Sequence, residues 1–192
     1  MCQRGIEPRH EVIEIGFEDN DLACAPQFAR AFLQVGDSLF CGNVQQDENV
    51  KVSAAIVQHP PVRPALAFRF DFRDRSIAFS GDTAPIETVA RLAKGADVLV
   101  HEAIFMPAVE AYIHDRVAKG SPIRFDDYMA HMKRDHSPVE DVGRIAREAG
   151  VKTLVLSHLS PGIDGIQDET WRDLAAKQFT GEIVVARDLM VL

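Results

Sequence analysis

The stretch IAFSGDTAP, residues 77–85, decides how this chain reads. Three residues suited to a buried strand run into a glycine, and then into a carboxylate beside a hydroxyl. Two explanations compete. In one, Asp82 or Thr83 accepts a hydrogen bond from the free amides of a following helix, and Pro85 suits its opening turn. In the other, the strand delivers an acid to the place where loops converge on a ligand. The surrounding pattern has to choose between them.

Immediately before this stretch, residues 50–58 (VKVSAAIVQ) and 66–72 (LAFRFDF) read as strands. In the second, Leu66, Phe68, Phe70 and Phe72 share one face, while Arg69 and Asp71 take the other. The turn RDR leads into the strand SIAFS. After it, helix and strand alternate. Residues 86–94 place Ile86, Val89, Ala90 and Ala93 on one helical face, with Gly95 as C-cap. DVLV follows as a strand. Ser137-Pro138-Val139-Glu140 fits a capping box opening a helix that carries Val142, Ile145, Ala146 and Ala149 and closes at Gly150. KTLVLS is a strand, DETWRDLAAKQF an amphipathic helix and EIVVA a final strand. A β-meander followed by helix–strand alternation is an α/β layered fold. Residues 1–48 are weakly patterned.

Composition narrows the function classes. The 192 residues suit one domain with a real core. With 21 basic and 29 acidic residues the net charge is −8, the opposite of a nucleic-acid footprint. No apolar run approaches the ~20 residues that span a bilayer, and the first residues carry no signal-peptide pattern. Cys2, Cys24 and Cys41 are too widely spaced for a disulfide framework or a metal knuckle, so a reducing cytoplasm is expected. No Gly-x-Ser-x-Gly elbow is present, which disfavours a metal-free α/β hydrolase.

Four strands lead to polar, metal-competent residues: His59, Asp82, His101 and His158. In α/β folds the carboxyl ends of strands are where ligands bind. Imidazole and carboxylate together suit zinc or a similar hydrolytic metal. One such residue means little, but four such endings favour the ligand explanation of Asp82 over the cap. Glu102 is read either as an orienting partner of His101 or as a surface acid. His10, His114 and His131 are read as solvated, Trp171 as core, and Asp164 and Asp168 as loop and N-cap residues.

The segments VSAAIVQHPPVRPALAFRFDFRDRSIAFSGDT, LAKGADVLVHEAIF, HSPVEDVGRIAREAGVKTLVLSHLSP and GEIVVARDLMVL resemble the metallo-β-lactamase superfamily, in the branch of ribonuclease Z and arylsulfatase-like hydrolases. The resemblance runs from about Val50 to the C-terminus. It implies part of an αββα sandwich and hydrolysis of a sulfate, phosphate or carboxylic ester by a metal-activated hydroxide. It implies one or two Zn2+ ions, with Mn2+ as an alternative. His59 would ligate one ion, Asp82 would bridge two and His158 would ligate the second. His101 would assist the leaving group, and His136 in DHSP stands where the branch often carries His-Ser-Thr. The superfamily's H-x-H-x-D-H motif is absent. The expectation is therefore one domain lacking its N-terminal lobe, completed by a missing half or by a homodimer partner. Only a strand pair separates His59 from Asp82, leaving no room there for the arm with which ribonuclease Z enzymes grip transfer RNA. A small ester is therefore preferred to nucleic acid. Transfer-RNA 3′ processing is the alternative, and a non-catalytic half-domain is the rival from a different class.

Overall fold

The protein is described by a computed structural model covering residues 40–163 and 165–191. His10, Cys2, Cys24 and Asp164 lie outside the described residues. Among the described residues seven strands form one sheet whose spatial order is the chain order: β1 (Phe40–Gln46), β2 (Val50–His59), β3 (Val62–Phe72), β4 (Ser76–Phe79), β5 (Val98–Ile104), β6 (Thr153–Ser160) and β7 (Glu182–Val185). The first four pair antiparallel. From β4 onward the pairing is parallel, because helical crossovers replace tight turns. The described helices are α1 (Glu87–Leu92), α2 (Met106–Ala118), α3 (Phe125–Asp135), α4 (Val139–Ala149) and α5 (Asp168–Ala176). The expected meander followed by α/β alternation is present.

The core lies on one face of the sheet. There Ala55, Ala67, Ala78, Leu99, Leu154 and Leu156 meet Val89 and Leu92 of α1, Val142 and Ile145 of α4, and Trp171 and Ala175 of α5. Trp171 is 3% exposed, as expected of a core residue, and packs edge-on against Phe105. A second cluster joins Ile104 to Val109 and Ile113 of α2 and Met129 and Met132 of α3. The sequence pattern assigned no structure to that 106–135 region.

Two local expectations change. The helix after Pro85 takes Ile86 as N-cap, with no side-chain cap, so neither Asp82 nor Thr83 caps it. Its last carbonyls are met instead by Arg69, which reaches across from β3 to Leu92 O (3.1 Å) and Lys94 O (2.7 Å). At α4, Pro138 is the N-cap with no side-chain cap, and the Ser137 hydroxyl donates to Thr83 O (2.7 Å). Its C-terminus is as expected, with Gly150 in the left-handed region at φ +68°.

Candidate metal centre

The turn after β4 is shaped by Gly81, at φ +60°, where a Cβ would stand 2.8 Å from Leu66 O. The residues on either side of Asp82 are pinned. Ser80 N continues the ladder to Val100 O (3.0 Å), and Thr83 N donates to Glu102 Oε1 (2.6 Å). Gln58 N donates to Thr83 Oγ (3.3 Å), and Ala84 N to Gln58 O (2.8 Å). Asp82 is thereby held at the end of β2, beside His59.

His59 closes β2 where its register with β3 shifts between Val57 and His59. Its Nδ1 donates to Asp135 O (3.0 Å), which leaves Nε2 to face the site. His136 follows α3, and the segment 136–138 runs along the end of β5 through Ile104 N to Ser137 O (2.9 Å). This brings His136 Nδ1 to Glu102 Oε2 at 2.7 Å. Ligand atoms of His59, Asp82 and His136 all lie within 4.8 Å of one another. His158 adds a fourth group, with Nε2 3.4 Å from Asp82 Oδ2 and its ring stacked 6.4 Å from that of His136. It sits inside β6, as the extra residue of a bulge opposite Glu102 and Ala103, at φ +45°. A bulge re-aims a side chain that regular alternation would send elsewhere.

His101 is not part of this cluster. β5 does not end at Val100 but runs on to Ile104, so His101 points to the same core face as Leu99 and Ala103. It is fully buried, its Nδ1 donates to Glu102 O (2.7 Å), and its Nε2 has no partner. Burial pushes its pKa down to about 4, against the smaller upward pull of that carbonyl. The residue β5 gives to the site is Glu102, one step along, which pairs with His136 and not with His101. Alternation continued through Glu102 and Ala103 was the available sequence signal.

Half-burial on its own would lower the His136 pKa, but the Glu102 bond, the Glu102 charge and the charges of Asp82 and Asp135 outweigh it and raise it. His131, expected in solvent, is half-buried on α3. Its Nδ1 donates to Asp135 Oδ2 (2.6 Å), and its ring lies 6.1 Å from His59 and 5.3 Å from His136. His114 does remain exposed, stacked on Phe125. A cavity of about 430 Å3 opens at His59 and Asp82, walled by Val62, Pro64, Leu66 and Phe68.

The donor set fits a divalent cation of the zinc type. His59 and His136 each spend Nδ1 on an oxygen acceptor, as metal-ligating imidazoles do, and a carboxylate stands between them and His158.

Comparison with known proteins agrees with this geometry. The family model for the beta-lactamase superfamily domain matches residues 16–159. Ribonuclease Z of Mycobacterium tuberculosis is 37% identical over 142 residues, which cover 74% of this chain and 48% of that protein. Ribonuclease Z of Mycobacterium avium is 35% identical over 148 residues, covering 77% and 49%. The chain therefore spans about half the length of these relatives. The crystal structure of the metallo-beta-lactamase fold protein YhfI from Bacillus subtilis superposes with a TM-score of 0.54 at 19% identity, covering 74% of this chain and 49% of that one. That likeness is one of fold. The names of the two relatives weigh against the expectation that set nucleic acid aside.

Proposed function

The chain belongs to the beta-lactamase superfamily, and from that premise we propose that it forms the metal-binding half of a hydrolase acting on an ester bond. The observation that carries the reading is the convergence of His59, Asp82 and His136 within 4.8 Å, with His158 beside Asp82. His59 with Asp82 would hold one cation, and His158 with Asp82 a second. A divalent cation bound there supplies Lewis acidity and brings the pKa of water toward neutrality.

His136 carries the proton for the leaving oxygen, a role closed to His101, which is fully buried away from the cluster. Its Nδ1–H is held by Glu102, so only Nε2 faces the reaction, and the surrounding carboxylates favour its protonated form. Glu102 also fixes Thr83 N, so a single carboxylate orients both the proton carrier and the loop bearing Asp82. The apolar wall of Val62, Pro64, Leu66 and Phe68 turns an uncharged part of the substrate toward the metal groups.

A second reading has its own support. Both relatives are named ribonuclease Z, which favours a phosphodiester of RNA among the ester substrates. The net charge of −8 opposes long-range attraction of RNA but not the chemistry at the site. Because the chain spans half of those relatives, either activity needs the remaining half supplied, by a longer chain or by a partner.

The deciding experiment is a Zn2+ titration of metal-stripped protein, followed by hydrolysis assays on aryl sulfate, aryl phosphate, carboxylic ester and RNA substrates with the missing half restored. Asp82→Asn is expected to weaken Zn2+ binding by more than about tenfold. Equal binding by wild type and Asp82→Asn would end the metal reading.

A further inference from the structure

Asp135 performs two tasks at once. Its backbone oxygen accepts from His59 Nδ1 at 3.0 Å, and its carboxylate accepts from His131 Nδ1 at 2.6 Å. The carboxylate is wholly buried and clamped by Arg134, whose Nε and terminal nitrogen reach it at 2.8 and 2.6 Å. One residue thus sets the tautomer of two neighbouring imidazoles. Both are left with Nε2 as the only uncommitted nitrogen. A carboxylate on Nδ1 is the arrangement that orients a metal-ligating histidine and raises its basicity.

We propose that His131 is a further metal ligand of this chain, joining His59 and Asp82 on one cation. The inference rests on the metal reading above and goes beyond it, since that reading leaves the ion at His59 with two ligands from this chain. A zinc ion is almost always four-coordinate. In a tetrahedral site with Zn–N of about 2.0–2.1 Å, the centroids of two ligating imidazoles lie about 5 Å apart. The His59 and His131 centroids are 6.1 Å apart with their planes crossed at 63°. His131 stands just outside the compact group of His59, Asp82 and His136, and its side chain is 36% exposed on the last turns of α3. The separation exceeds that value by only about 1 Å.

The test needs no substrate. Metal-stripped wild type, His131→Gln, His131→Cys, His59→Gln and, as a remote control, His114→Gln are titrated with Zn2+ against a chromophoric chelator and then loaded with Co2+. Far-ultraviolet circular dichroism confirms that each is folded. His131→Gln should weaken Zn2+ binding at least about tenfold, with His114→Gln unchanged. Cobalt-loaded His131→Cys should gain a thiolate-to-cobalt charge-transfer band that wild type, with its native cysteines, lacks. Absence of that band overturns the proposal, even if His131→Gln binds more weakly, because weaker binding alone would follow from lost positioning. If His131→Gln binds like wild type while His59→Gln does not, His131 is no ligand and the metal reading survives. If His59→Gln also binds like wild type, both fall together.

Discussion

At the scale of single residues, Glu102 and His101 show how one step along a strand separates a site group from a core group. Glu102 is 2% exposed and accepts from Thr83 N and His136 Nδ1. Its charge opposes the lowering that burial alone imposes on His136. Glu102→Gln should therefore lower the His136 pKa, read from the imidazole resonances in an NMR titration, and an unchanged value would refute the pairing. His101 behaves in the opposite sense. Its folded pKa, about 4, lies below the ordinary value of 6.5, so protonation favours the unfolded chain. Its contribution is complete above pH 6.5 and is lost as pH falls toward 4, about 3 kcal/mol in all. Urea unfolding of His101→Leu should show a shallower loss of stability over that interval than wild type. Parallel curves would sink the assignment.

At the scale of elements, the strands and core helices were legible because their apolar residues keep period. β2, β3, β4, α4, α5 and β7 lie within a few residues of where alternation or helical spacing puts them. What periodicity cannot carry is irregularity. His158 owes its position to a bulge in β6, and His59 to a register shift at the end of β2, both set by pairing with another strand. Helices α2 and α3 escaped notice because their apolar residues pack on each other and on Ile104, forming a small satellite cluster rather than a long stripe on the sheet. Helix packing also gives a test. Gly143 on α4 faces α5 so closely that an added Cβ would collide with the Ala175 carbonyl. Alanine would gain about 1 kcal/mol in helix propensity. Overpacking against rigid backbone costs about 1–3 kcal/mol. Gly143→Ala should therefore lower the thermal midpoint, and a raised midpoint would show that the two helices can separate at little cost.

At the scale of the whole molecule, the main core cluster of the described residues packs its helices on one face of the sheet. On the other, Leu66, Phe68, Phe70, Phe72 and Ile77 are half-buried and Phe79 is 37% exposed, with Phe70 and Phe79 in edge-to-face contact. An apolar patch of this kind favours association. Light scattering should show concentration-dependent oligomers that Phe79→Lys reduces, whereas a monodisperse wild-type monomer would count against an associating face. Sequence alone determined the layered α/β class, the order of the strands, and the kinship carried by the SGDT, HSP and SHLSP segments, because local periodicity and short motifs are written in consecutive residues. Tertiary structure alone decided which titratable groups meet. Glu102 was chosen over His101 by the parity of a strand that runs on from Val100 to Ile104. His131 came to the site because a buried Asp135 ties α3 to the end of β2. Those are facts of register and of packing between distant segments, and a chain read residue by residue does not contain them.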